Sequence, residues 1–435
     1  MVFSTGISGI QAAQKQLETT GNNIANASTI GFKSSRTEFA DVYSAGPLGG
    51  GNNTVGTGVR LANIKQNFGQ GTKMDTNNAL DLRINGSGFF VLENQGAQIY
   101  SRAGMFHIDN EGYIVNNNEN RLVGYPADAS GNIQSIASTL QVDTSNIPAN
   151  ASTTAEVGFN LDANSIPPTP AWPGGASPAS DTYNFPSSMT VYDSLGNEHT
   201  LSMYFIKADS ALGPGDPNGS TPVGTDNQWY VAFQIDGSDV PALVGTENSA
   251  NLNRINFNTD GTFASVAGAQ VAGGVINLSH TLSNGAAPLS IAVDLSDSTQ
   301  FGSLSGATRN PTTDGYTSGE INGLGVDGEG IIFASYNNGV NRALGQVQLA
   351  NFTNLDGLQQ LGDTSWAETA ASGQPILGNP GAAGLGLIES GALENSNVDL
   401  TSSLVDLISA QRNFQSNAQT IRTADAVTQT IINIR

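Results

Sequence analysis

The hydrophobic positions of this chain change their period twice. In the first thirty residues Phe3, Ile7, Ile10, Gln14, Leu17, Gly21 and Ile24 recur at spacings that alternate between 4 and 3, the seam of a coiled coil. The pattern predicts one helix of about 25 residues, ~37 Å long, ended by Asn26, Ser28 and Gly31 in the stretch NNIANASTIGFKSS. The last forty residues repeat the device. Leu400, Leu404, Leu407, Gln411, Phe414, Ala418, Ile421, Asp425, Thr428 and Ile432 keep the same alternation, with Ser396 or Asn397 as the expected N-cap. This second helix would approach ~55 Å.

Between these ends the period is two. MTVYDSLGNEHTLSMYFIK (189–207) predicts a hairpin about a Ser-Leu-Gly-Asn turn, and QWYVAFQIDG (228–237) and RINFNTDGTFAS (254–265) read alike. LDLRINGSGFFVLEN (80–94), residues 98–125 and the stretch after 316 alternate strand and turn in the same style. SIPPTPAWPGGASPASD (165–181) and LGPGDPNGSTPVG (212–224) are Pro/Gly loops expected on the outside of the β material. A chain whose ends meet while its middle is β-rich is naturally nested, each outer domain inserted in an inner one.

Composition sharpens this picture. The chain has 435 residues, too many for one core, of which only 12% are charged and 52 are Gly, a mixture that suits turn-rich β structure. Charge separates the ends from the middle. Lys15 and Glu18 cancel in residues 1–30, and Asp399, Asp406 and Asp425 cancel Arg412, Arg422 and Arg435 in 397–435, so the whole net charge of −21 lies between them. With no Lys/Arg-rich run, nucleic acid is a poor partner.

The seams admit two readings. The helices pair within the chain, or copies from many chains pack side by side. Gln14, Gly21 and Asp425 interrupt the seams and a bare pair of helices is marginal in water, so the second reading, polymerisation, is favoured.

A search for chemistry finds little. There is no cysteine, which removes disulfides and thiolate sites, and His107, His199 and His280 are scattered with no partner at metal spacing. The opening MVFSTGISGIQAAQ lacks the basic and apolar regions of a cleavable signal peptide, and no apolar run approaches the ~18 residues of a membrane span, so no membrane insertion is expected. GLGVDG (Gly323–Gly328) matches the dinucleotide fingerprint in letters only, because a strand-like GIIFASYNNG follows where a helix is required. It is expected to be a turn. NFNTDG (256–261) opens with Asn and has Ala267 where a calcium loop needs Glu, and is also expected to be a turn. Trp172 and Trp229 would contact carbohydrate if exposed, although core packing is the commoner use. Neither a catalytic residue, nor a cofactor site, nor a metal site is expected.

NNIANASTIGFKSS closely resembles the segment that follows the first helix of the bacterial flagellar axial proteins, the rod and hook subunits. TNNALDLRINGSGFFVL (76–92), YSRAGMFHIDNEGYIVN (100–116), the block 342–373 and GLIESGALENSNVDL followed by LISAQRNFQSNAQTI look like the family's other landmarks, in the family's order. Arg83, where a small residue is commoner, and Ser403, where an acid is, depart from the pattern. The unmatched 146–316 favours the hook branch over the shorter distal rod subunit.

The resemblance implies a mainly β subunit with α-helical termini and nested domains. These are a coiled-coil-like helical core of 1–27 with 397–435, a connector of 28–70 with 388–396, an inner β domain of 71–145 with 317–387, and a variable outer β domain of 146–316. It implies a structural subunit of a tubular, flexible polymer that carries motor torque from rod to filament around an export channel, on the cell exterior after type III export. The implied partners are the chain itself, the distal rod protein, the hook cap, the hook-length ruler and the hook-filament junction protein. The assembly residues expected are Ile7, Ile10, Leu17 and Ile24 on the first seam and Leu404, Leu407, Phe414 and Ile421 on the second. Asn26, Gly31 and Phe32 mark the helix exit, Gly31 with a positive φ or as an ordinary loop glycine. From another class, a secreted β-rich carbohydrate-binding protein or hydrolase would instead show a concave pocket of converging acids or aromatics.

Overall fold

A computed structural model describes residues 2–43, 56–143, 145–169, 172–173, 175, 177–208, 227–240, 252–266 and 273–433. The Pro/Gly stretch 212–224 lies outside the described residues. The fold is mainly β with one helix near each terminus, α1 at Val2–Ala25 and α2 at Leu400–Asn433. The chain divides into two compact units, Met1–Thr144 with Asn322–Ser335 and Asn341–Arg435, and Ser145–Ile321 with Tyr336–Val340.

In the first unit α1 and α2 lie antiparallel. A Cβ added at Gly6 would fall 2.7 Å from Cγ1 of Ile421, and one at Gly9 would fall 2.5 Å from Oδ1 of Asn417, so α2 numbers fall as α1 numbers rise. The buried positions of the pair are Gly6, Ala13, Thr20 and Asn23 on α1 and Ser403 and Ala410 on α2; Asn23 is bonded to Ser35 of the following strand, and the others are small. Side-chain size at the contact sets the distance between helix axes, and small residues bring these two close. About eight residues of α2, ~12 Å, run past the start of α1.

The start of α2 corrects the expected cap. Ser396 and Asn397 do not cap it. Asp399 does, its Oδ1 accepting from the backbone N–H of Thr401 at 2.9 Å and Ser402 at 3.2 Å. Asn397 is engaged elsewhere, accepting from Ser34 N at 2.8 Å and donating to the carbonyls of Asn67 and Gly69 at 2.7 and 2.9 Å.

The β part of the first unit is nested, early strands pairing with late ones. Lys73–Asp75 pairs with Ala392–Glu394, and Leu82–Asn85 with Leu387–Ser390. A larger sheet runs through 331–336, 341–347, 121–126, 89–94, 97–101, 365–367 and 359–362 in space. Its core holds Leu82, Ile84, Phe90, Leu92, Phe106, Leu122 and Leu349, and beside it Phe89, Tyr100, Phe352 and Trp366 pack edge to face. Residues 35–42 and 58–66 form a separate two-stranded hairpin that packs along α1, where Val59 N–H donates to Ser8 Oγ.

The second unit is a sandwich. One sheet is built on 154–162, 275–280, 289–294, 299–301 and 306–313, the other on 185–192, 198–207, 228–235, 253–257 and 263–266. The period-two pattern explains the packing: Val157, Phe159 and Leu161 from one sheet meet Leu201, Met203, Phe205, Trp229, Val231 and Phe233 from the other in one core.

One turn is used repeatedly. At 109–113, 116–120, 128–132, 193–197 and 327–331 the first side chain, Asp or Asn, accepts from the backbone N–H of the third and fifth residues. The fourth residue has positive φ, as at Gly196 (84°) and Gly330 (77°), which is why Gly is favoured there.

Three expectations are settled here. GLGVDG is only half a turn: Gly323–Val326 belongs to the strand Ile321–Val326, because its period-two neighbours carry it into the sheet, and the turn is Asp327–Gly330. The turn in NFNTDG is present at 258–262. Trp229 and Trp172 are both buried. Trp172, from the Pro/Gly stretch 165–181, packs with Tyr204, Ile206 and Tyr230, which alternate with the sandwich-core residues Met203, Phe205 and Val231 and so lie on the outer face of their sheet.

Candidate functional site

The helical pair and its exit into the β part form the candidate site. Of the predicted seam residues, Ile7, Leu404 and Phe414 are exposed, at 50%, 49% and 37%, while Ile10, Leu17, Ile24, Leu407 and Ile421 are half-buried. Ile421 meets α1 at Gly6. Gly6 and Gly9 touch α2, Ala13, Thr20, Ser403 and Ala410 are buried, and the larger apolar side chains of the seam are half-buried or exposed. Phe3, Leu400, Val405 and Ile408 add to this exposed apolar surface. Sequence reasoning missed the small stripe because a hydrophobic period marks large residues, whereas Gly, Ala, Thr and Ser at spacing seven carry little apolar weight.

At the exit, α1 ends because Asn26 turns its amide back onto the Asn22 carbonyl at 3.0 Å while its Oδ1 accepts from Thr29 Oγ1 at 3.1 Å. Gly31 has φ 71°, and an added Cβ would sit 2.6 Å from Ala103 N. Its own N–H donates to the Glu394 carbonyl at 2.8 Å. Phe32 is half-buried and lines the adjoining cleft.

Next to Gly31 lies a buried ion cluster that sequence reasoning did not single out. Lys33 Nζ lies 2.6 Å from Glu394 Oε1, and Arg102 Nη1 lies 3.2 Å from Glu394 Oε2. Gly71 N–H also donates to Glu394, Lys33 to the Gly69 carbonyl and Arg102 to the Gly86 carbonyl. Burial pulls the Lys33 ammonium and the Arg102 guanidinium below their ordinary ranges, and Glu394 opposes it in both. Removing one partner of such a pair strands buried charge, so the cluster fixes where both chain ends leave the β part. A signal existed: IGFKSS, YSRAGMF and SGALENS each contain one of the three.

A cleft of about 450 Å³ opens beside this exit, lined among others by Asn22, Asn26, Gln66, Asn117, Asp363 and Trp366. Its lining holds one carboxylate, Asp363, and one ammonium, Lys33, the latter committed to Glu394. Among the described residues no group of three His, Asp or Glu side chains is placed to hold a metal ion.

Comparison with known proteins gives this geometry a family. Four family models match in chain order: Flagella basal body rod protein over residues 3–33, Flagellar hook protein FlgE/F/G D1 domain over 83–158, Flagellar basal body protein FlaE D2 domain over 160–316, and Flagellar basal body rod FlgEFG protein C-terminal over 389–434. The flagellar hook protein FlgE of Salmonella typhimurium is 36% identical over 437 residues, covering 100% of both chains. That of Borreliella burgdorferi is 34% identical, covering 99% of this chain and 98% of the relative. The fold is similar to that of the Helicobacter pylori flagellar hook protein FlgE2 in its crystal structure, with a TM-score of 0.51 at 14% identity over 73% of this chain and 99% of that one. Matched from end to end at this identity, the chain belongs to the flagellar hook protein FlgE family, structural subunits of the hook of the bacterial flagellum.

Proposed function

We propose that the two terminal helices are the polymerising element of this subunit. Gly6 and Gly9 of α1 meet Ile421 and Asn417 of α2, and the pair leaves Ile7, Leu404 and Phe414 exposed; this observation carries the reading. Large apolar side chains left outside a formed interface gain their burial from further helices, and copies of the same pair supply them. Ile7, Ile10, Leu17 and Ile24 on α1 and Leu404, Leu407, Phe414 and Ile421 on α2 are the assembly residues, and Asn26, Gly31 and Phe32 set the angle at which the pair leaves the β part.

In this reading the helices of many copies form the inner wall of a tube around an export channel. The tube bends while it passes torque from rod to filament. Neutral helices suit such crowding, since like charges repel strongly at low dielectric. The working division is a helical core of 1–27 with 397–435, a connector of 28–70 with 388–396, an inner β domain of 71–145 with 317–387 and an outer one of 146–316. The distal rod protein, hook cap, hook-length ruler and hook-filament junction protein are its neighbours, reached after type III export.

The test is the double variant Leu407→Asp with Phe414→Asp, purified and brought to polymerising ammonium sulfate. Electron microscopy should show no tubes where the parent forms them, while circular dichroism retains the parent's β signal. Tubes from the variant would refute the assembly role, and a variant whose β signal is lost would mean that the helices serve the subunit's own fold.

A further inference from the structure

The sandwich unit contains a titratable cluster that polymerisation does not use. Asp193, fully buried at the turn 193–197, accepts at Oδ1 from the N–H groups of Leu195 and Asn197, at 2.8 and 2.9 Å. At Oδ2 it accepts from the side-chain amides of Asn197 at 2.9 Å and Asn284 at 2.6 Å. The same Oδ2 lies 3.2 Å from His199 Nε2, and the other ring nitrogen, Nδ1, lies 2.6 Å from Asp236 Oδ2. Asp236 Oδ1 in turn accepts from Thr200 N–H at 2.9 Å.

These contacts determine the charge of the ring. A carboxylate is acceptor-only, and a neutral imidazole has one donor and one acceptor nitrogen. With a carboxylate oxygen at each nitrogen, a neutral ring would press a lone pair against an anion, whereas the imidazolium donates to both. The ring is 11% exposed, so water screens the mismatch poorly.

The groups joined come from both sheets. Asp193, His199 and Asp236 belong to the sheet built on 185–192, 198–207 and 228–235, and Asn284 to the turn between strands 275–280 and 289–294 of the other. Ala287 N–H adds a bond across the same seam, to Ser194 Oγ at 2.9 Å. His280 on that second sheet also acts on Asp236 through its charge, and Glu198 is the ring's chain neighbour.

We propose that His199, held as an imidazolium between Asp193 and Asp236, is a charge-dependent staple that closes one end of the sandwich and releases it when the ring loses its proton. Burial works against the charged ring, but the hydrogen bonds from Asp236 and Asp193 outweigh it and raise His199 above its ordinary value. Burial likewise raises both carboxyls, and their hydrogen bonds hold them below the usual carboxylate range. A raised histidine contributes stability that is complete below its unfolded value and disappears as pH rises through its folded value. The staple therefore stays closed to higher pH than an ordinary histidine would allow and opens as pH rises through the ring's raised value.

The test uses the full chain with ¹⁵N-labelled histidine, His199 being assigned by the H199Q variant. With the ring in its charged form both its ring nitrogens should be protonated, and the midpoint should lie above the ordinary 6.5. As it titrates, the amide-exchange protection of the turns 193–197 and 281–287 should fall severalfold, while the turn 109–113 keeps its protection. H199Q should show low protection of those turns at every pH. A midpoint at or below 6.5, or protection of 281–287 that is unchanged through the titration, overturns the proposal. Both measurements on the parent chain decide the matter even if H199Q does not fold.

Discussion

In the sandwich core Trp229, Phe205 and Phe159 are fully buried and meet each other or their neighbours across both sheets. In the helical pair the order is reversed: Ala13 and Ala410 are buried and Ile7, Leu404 and Phe414 are exposed. Both regions obey the same rule, that apolar area seeks to leave water. They differ in where the remaining partners are. A sandwich that encloses its large residues is complete within one chain, whereas a helix pair that encloses only its small ones has an interface to spare.

That contrast can be broken by three substitutions. Phe205→Ala removes a ring wholly enclosed by the sandwich and should cost about 3–5 kcal/mol, read as an early urea transition of the second unit with helical circular dichroism unchanged; a loss of helix instead would tie the helices to the sandwich. Ala13→Leu adds volume at a closed contact and should cost about 1–3 kcal/mol, lowering the helix melting temperature of the unpolymerised subunit. If the helices tolerate it without change, the close approach at Ala13 is not what joins them. Ile7→Ala, at a half-exposed position, should change the subunit's own stability by less than ~1 kcal/mol yet raise the protein concentration needed for tube formation severalfold. An equal effect on both measurements would mean that Ile7 already has its partner within the chain.

Much of the fold was legible in the sequence. Period two in 189–207 and 228–235 marked strands correctly because each has one face in a single core, and D-x-x-G turns stand between strands because one carboxylate closes the backbone of five residues. The heptads found both helices. They placed Ile421 at the contact but did not mark Gly6, Gly9 and Asn417, which meet there and carry too little apolar weight to register as hydrophobic. The cap of α2 was misread because Ser396, Asn397 and Asp399 all have capping oxygens, and only the fold shows that Asn397 is taken by residues 34, 67 and 69. The three residues of the ion cluster, Lys33, Arg102 and Glu394, stand in recognisable segments, but their pairing was not legible: Lys33 and Glu394 stand 361 positions apart, and a buried pair leaves no periodicity.

Glu394 has a mechanical consequence. The chain leaves the β part toward α1 past Gly31 and Lys33, and toward α2 from Glu394 itself, so one residue holds both departures: its carbonyl binds Gly31 and its carboxylate binds Lys33 and Arg102. A pull on either helix therefore reaches the same anchor. Its bonds to the exit loop, to Gly71 and to Arg102 converge on one residue, so a load that acted on them at once would be shared among them. The two helices thus share one anchor, with the bonds of Asn397 to residues 34, 67 and 69 beside it.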